Sequence, residues 1–418
     1  MYYQQTTATA VHSELPRQWG GPGLPGWLVI FAIAYNAILA FINAHLMSLS
    51  SAHVAITEAL VLAGVMLFLL PRLKQVPDIR PHILFLLGMC LLSFWVMLSN
   101  EATFIKIVRD CLIMVAFLLL GTFLSSRNII FTFKILMAAV LSVAAIEIFA
   151  TEAYVWLFEP EQYFFKTRGI EPFEYSDSGL FRNSLGYSSR FSFNFLSSHR
   201  ISSLFLEQVS LANFAMVTLI FLMGFSQQMG KKAVLFFLLG SVFLILTNDT
   251  RTGALFALAM IPCFYLSPLF PRWFAVTFIP VLLLLSTVLF YDPSQTSLSD
   301  SFAGRIGFTL YLLSEADLPT LLTGNLAGIH SVADSGYSYL IYATSLFGLI
   351  LFWLYVALVV RSDQPASKRY VFAMNGFIAV NLMIGAAVFT IKIAAPMWMM
   401  MGYLYKQANL PDKRGAGS

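Results

Sequence analysis

Lys231-Lys232 is followed by the apolar run AVLFFLLGSVFLIL (233–246), the polar knot Thr247-Asn248-Asp249-Thr250-Arg251-Thr252, and a second apolar run, GALFALAMIPCFYLSPLF (253–270). Roughly 20 apolar residues cross a bilayer core as a helix. The stretch therefore reads as two spans, 233–248 and 251–270, that turn back on each other through a few polar residues. Neither run has the polar face of a helix on the surface of a water-soluble domain. The knot is too short to form a domain of its own, so it sets Asp249 and Arg251 at one membrane surface.

The same alternation repeats outward along the chain. Apolar runs at 27–48, 52–71, 82–99, 104–124, 129–150 and 203–225 precede this pair, and runs at 273–291, 337–360, 370–389 and 391–405 follow it. The expected fold is an all-α polytopic membrane protein of about twelve transmembrane helices, forming a single integral membrane domain over 1–418. Composition agrees. Of 418 residues, 58% are apolar and 11% charged, with mean hydropathy +0.77, whereas soluble domains carry about 25% charge. With 39 Phe and 17 Met, such a chain cannot present a water-facing surface, which excludes a soluble globular fold and a disordered chain alike. A run of about 25 mostly polar residues before the first span argues against a cleavable signal peptide. Cys90, Cys111 and Cys263 fall inside apolar runs without metal-ligand spacing, so neither a structural disulfide nor a metal site is expected.

Net charge is +4, and the basic residues are scattered between apolar runs, which excludes a nucleic-acid footprint. Their distribution orients the chain. Arg17, Arg72, Lys74, Arg80, Arg127, Lys231, Lys232, Arg272, Arg361, Lys368, Arg369, Lys406, Lys413 and Arg414 lie in short loops or tails that share one face if both termini are cytoplasmic. The opposite face keeps two long segments, 151–202 and 292–336, expected to be periplasmic and to contain short amphipathic helices. One such helix is expected after Asp300, with Phe302, Ile306, Leu310 and Leu313 on one face and Arg305 carried along.

The inner loops are too short for a nucleotide-sugar or ATP domain, and no Walker motif is present. The outer segments hold Arg168, Arg182, Arg190, Arg200, Arg251 and Arg305 but one clear lysine, Lys166. A guanidinium binds phosphate bidentately and stays charged, so this bias points to an anionic ligand. Salt bridging to Glu159, Glu161, Glu171, Glu174 and Asp177 is the plainer alternative, and is preferred for Arg182 and Arg190. Arg200-Ile-Ser-Ser and Arg251-Thr-Gly are expected to open spans six and eight from the outside. A cation at a helix N-terminus opposes the dipole, and an anion bound between it and the free N–H groups reverses that penalty. Pairing of Arg251 with Asp249 and of Arg200 with Glu207 would instead leave both structural. Lys106, Arg109 and Asp110 open span four with either role available. Glu58, Glu147 and Glu207 lie in or near spans, where acids are costly and often functional but can also be hydrogen-bonded structural groups. The aromatic residues of the first outer segment, among them Tyr163, Phe164 and Phe181, suit interface anchoring better than sugar stacking.

Three stretches resemble the O-antigen polymerase and ligase superfamily, the Wzy-type integral membrane glycosyltransferases. They are Arg200-Ile-Ser-Ser-Leu-Phe-Leu-Glu-Gln, Leu246-Thr-Asn-Asp-Thr-Arg-Thr-Gly-Ala-Leu, and Asp334-Ser-Gly-Tyr-Ser-Tyr-Leu followed by Ser345-Leu-Phe-Gly348. Their order and spacing fit over roughly residues 195–350. Ligases of this superfamily carry a His, then Asn, Ser or Gln, nine residues, then Gly-x-x-Gly. Here Asp334 stands at the His position and Ser345 at the first Gly, while Ser335 and Gly348 match, which favours a polymerase. Arg168, with ten residues between it and Gly179, resembles an Arg-x10-Gly pattern of some polymerases; Arg305 has no such partner.

The resemblance implies a bacterial inner-membrane polysaccharide polymerase of O-antigen or exopolysaccharide type, acting at the periplasmic face on undecaprenyl-diphosphate-linked oligosaccharide. It implies Arg200, Arg251 and Asp334 as catalytic residues, and Arg168, Arg305, His330, Glu207 and Tyr339 as substrate-binding residues. The diphosphate is already a leaving group, so no nucleotide donor, cofactor or metal is expected. Arg200 and Arg251 would stabilise the departing charge, and Asp334, His330 or Glu207 would take the acceptor proton. The bilayer is the medium, and a chain-length regulator or export complex is an expected partner. The rivals are an O-antigen ligase, with the same chemistry and another acceptor, and a lipid-linked oligosaccharide flippase, which would need charge along a path through the membrane.

Overall fold

The computed structural model describes residues 21–172, 178–185, 197–298, 301–332, 334–361 and 363–409. The described residues are 79% helical, and no strand occurs among them. Five helices come first: α1 (Gly23–His45), α2 (Ser51–Leu69), α3 (Arg80–Ser99), α4 (Lys106–Gly121) and α5 (Ser126–Phe149). The first long connection contains α6 (Thr151–Phe158) and α7 (Pro160–Arg168). Then come α8 (Gln208–Phe225), α9 (Lys231–Thr247), α10 (Arg251–Leu266) and α11 (Phe278–Phe290). The second long connection contains α12 (Phe302–Ser314) and α13 (Leu318–Thr323), and α14 (Gly336–Leu358), α15 (Pro365–Ile384) and α16 (Ile391–Asn409) follow.

Every apolar run of the sequence falls on a helix. Among the described residues eight helices are long and apolar enough to cross a membrane: α1, α2, α3, α5, α8, α10, α11 and α14, several of them extended by a 3-10 turn. Of the other four, α4 and α9 are short, at 16 and 17 residues, and α15 and α16 fall below in composition, with Lys368 and Arg369 on one and Lys392 and Lys406 on the other. Burial explains part of this. Almost all of α4, α8 and α16, and most of α15, is covered by other helices. A helix wrapped in protein need not be apolar all round, as a lipid-facing one must.

The lipid-facing character lies in the shell. Leu60 and Leu67 of α2, Leu84 and Leu91 of α3, Leu258 of α10, and Leu284 and Val288 of α11 are all exposed. Such a surface is stable only against hydrocarbon.

At the centre, α4 and α16 pack more extensively than any other pair. Glycines allow it. A Cβ built on Gly121 would lie 1.9 Å from the Met399 carbonyl oxygen, and one on Gly402 would lie 1.7 Å from that of Leu118. Backbone meets backbone there, the small-residue mode of helix association in membranes.

Three local expectations change and one holds. Span six starts at Gln208, not near 203, because residues 203–205 form a 3-10 turn closed by left-handed Leu206 (φ 60°). Span eleven ends at Ile384, and a 3-10 turn, Ala387–Phe389, separates it from α16. The amphipathic α12 buries Ile306 and Leu310 as its pattern predicts. Its N-cap is Ser301, whose hydroxyl accepts from the Gly304 N–H at 2.9 Å; Asp300 lies outside the described residues, as do Arg190, Glu174 and Asp177.

Candidate functional site

A series of contacts gathers the starts of α2, α4, α8, α10, α14 and α16 at one end of the bundle. Arg168, Arg200, Arg251 and Arg305 belong to this end.

The segment before α8 is fixed first by a carboxylate. Glu147, fully buried near the end of α5, accepts from the Ser202 N–H at 3.0 Å and the Ser202 hydroxyl at 3.1 Å, with the Ser203 N–H and His199 beside it. The Tyr154 hydroxyl donates to the Ser203 carbonyl at 3.0 Å. These bonds satisfy a non-helical backbone that would otherwise be costly to bury. Glu147 is thus the hydrogen-bonded structural acid of the two roles open to it.

Held this way, the segment lies directly against the polar knot. The Ile201 N–H donates to the Thr247 carbonyl at 3.3 Å. The Asn248 side-chain amide donates to the carbonyls of Ile201 at 2.6 Å and Gln208 at 3.0 Å. In return the Arg200 guanidinium donates through Nε to the Asn248 carbonyl at 2.9 Å. Asp249 is left-handed (φ 50°), which reverses the chain into α10. Thr250 caps α10, its hydroxyl accepting from the Gly253 N–H at 3.2 Å, and Arg251 is its exposed first residue. The structure therefore joins the Arg200 segment to the turn that presents Arg251. It places only Arg251 at a helix N-terminus. Arg200 precedes α8 by a non-helical stretch and a 3-10 turn, so the dipole argument does not apply to it.

Glu207 is the N-cap residue of α8 and pairs with neither Arg200 nor a facing acid. Its carboxylate meets Arg168 at 2.9 Å and Lys392 at 3.4 Å and accepts from the Ser210 hydroxyl at 2.8 Å. Arg168 ends α7 and stacks over the Phe164 ring at 4.7 Å. Burial alone would raise the Glu207 carboxyl; Lys392 and then Arg168, with the Arg168 and Ser210 hydrogen bonds, outweigh it and hold the group down to about 2. The carboxylate is thus shared between the two cations.

Tyr339 lies in a neighbouring network. It is buried, and its hydroxyl donates to Asp110 at 2.9 Å. Asp110 pairs with Arg109 at 2.9 Å, and Arg109 with Glu58 at 3.0 Å. Glu58 accepts from the Tyr35 hydroxyl at 2.6 Å, and the Lys106 ammonium sits 4.9 Å over the Tyr339 ring. The charges that open α4 are thus locally paired. The Tyr339 hydroxyl is thus engaged out of solvent by Asp110.

The last stretch brings Arg305 to Asp334 at 3.9 Å, while Arg305 also donates to the Ile384 carbonyl at 3.5 Å. Asp334 does not cap α14. Ser335 does, accepting from the Ser338 N–H at 3.2 Å. The Asp334 side chain is 51% exposed beside the Arg305 cation. His330 is exposed nearby, in the same connection.

One residue of this end escaped the sequence reading. Lys392 is 3% exposed, yet it was absorbed into an apolar run. A single ammonium inside a span was the available signal. Among the described residues no three His, Cys, Asp or Glu side chains are grouped as metal ligands would be. No family model matches this chain, and neither a curated protein nor a solved structure shows significant similarity to it.

Proposed function

We propose that the chain is a bacterial inner-membrane polysaccharide polymerase with twelve spans, both long connections in the periplasm, acting on undecaprenyl-diphosphate-linked oligosaccharide. The observation that carries this reading is the junction at Asn248. Its side chain and backbone tie the Arg200 segment to the turn that starts α10, so two arginines from separate stretches share one polar surface beside a helix N-terminus. Such a surface suits a diphosphate.

In the proposed reaction an acceptor hydroxyl attacks the anomeric carbon of the donor chain. The bond from that carbon to the diphosphate oxygen breaks, and the electron pair leaves with the diphosphate. Arg200 and Arg251 stabilise that charge. The proton passes to Asp334, which must first leave its pairing with Arg305, or to His330. Transfer to a different acceptor, the ligase reading, gains one observation: Ser345, at the first glycine of the ligase pattern, has a glycine-like backbone, φ 65° and ψ 176°.

The test is reconstitution. Purified protein in lipid, given only lipid-diphosphate-linked repeats, should lengthen chains with EDTA present and no nucleotide sugar or ATP. Arg200→Ala and Arg251→Ala should each lower the rate by about 100-fold or more, the usual scale for losing one charge-stabilising donor, and Arg→Lys should recover part of it. A strict requirement for a nucleotide sugar or Mg²⁺, or full activity in both alanine variants, would reject the mechanism.

A further inference from the structure

Lys392 is an expensive residue. Its ammonium is almost wholly out of solvent, in the first turn of α16, where the helix dipole disfavours positive charge. Its partner Glu207 already serves Arg168, so one carboxylate faces two cations and the triad carries one positive charge in excess. Glu58 is engaged by Arg109 and Tyr35. The triad is not sealed: Arg168 is 40% exposed, which leaves an approach from the surface. It also adjoins the proposed site, because Gln208, the residue after Glu207, is the one whose carbonyl Asn248 holds.

We propose that Glu207 is a resident counterion, occupying Arg168 and Lys392 until the diphosphate of the lipid-linked donor displaces it from them. The inference rests on the polymerase reading for the identity of the donor. A resident carboxylate keeps two cations folded and positioned without substrate, at the cost of competing with the substrate's own anion. Lys392 then binds the second phosphate from the buried side, while Arg251 and Arg200 approach from the turn.

This arrangement predicts an effect of opposite sign to a structural ion pair. Wild type, Glu207→Gln and Lys392→Met would be purified into nanodiscs and titrated with undecaprenyl diphosphate in the bilayer and, separately, with inorganic pyrophosphate in solution. Glu207→Gln should bind undecaprenyl diphosphate several-fold more tightly than wild type. Lys392→Met should bind it about tenfold more weakly or worse, the scale of one charged hydrogen bond. Should Glu207→Gln not purify folded, Glu207→Asp, with its carboxylate drawn back by one methylene, should also tighten binding. Unchanged or weaker binding in the Glu207 variant overturns the proposal, and tightening confined to inorganic pyrophosphate overturns the lipid donor as ligand. Loss of the polymerase reading would show separately, as turnover indifferent to Arg200 and Arg251, while the sign of the Glu207 effect judges this inference on binding alone.

Discussion

Ser345 interrupts α14 in a backbone conformation that glycine adopts at little cost and an L-residue at a penalty of about 1–3 kcal/mol. Its side chain is fully buried. Ser345→Gly should therefore raise thermal stability in detergent, by about 1 kcal/mol after the added flexibility of the unfolded chain is subtracted; a lower melting temperature would show that the hydroxyl has a role of its own. At this scale the sequence was legible where a residue follows directly from its neighbours. Arg251 opens a helix because an apolar run begins right after a Thr cap. Arg200 does not, because Glu147, distant in sequence, takes up the N–H groups of Ser202 and Ser203 and makes a non-helical turn affordable. Lys392 was missed because its counterion, Glu207, stands at the start of another helix that no local pattern joins to it.

Helices were easier to read than residues, because an apolar run long enough to cross a bilayer has few other uses. Their ends were harder: the 3-10 turns at 203–205 and 387–389 are apolar enough to pass for helix. What hydropathy could not show is which helices face lipid. α4 and α16 are interior, and their partnership depends on two glycines. Gly402→Leu would push a branched side chain into the Leu118 carbonyl of α4 and should destabilise by about 3 kcal/mol or more, visible as aggregation on extraction. The same change at Gly230, where an added Cβ meets nothing within 4 Å, should be nearly neutral. Equal tolerance at both sites would refute the close crossing.

For the whole molecule, the contacts place the starts of six helices at one end, and the proposed function needs that end to be periplasmic. In a background lacking Cys90, Cys111 and Cys263, single cysteines at Glu171 and Ser297 should react with an impermeant thiol reagent in intact cells, and one at Gln75 should not. The inverse pattern would turn the molecule over and with it the donor's side of entry. The contact between Gly121 and Gly402 also has a meaning in time. The ribosome completes α4 long before it begins α16, so α4, with Lys106, Arg109 and Asp110 at its head, must enter the membrane without the helix it packs against most. During synthesis that flank stands open, filled by lipid or held by the insertion machinery. Arrival of α16 is the step that shuts it, and a chain halted earlier would display an unfinished seam to quality-control proteases.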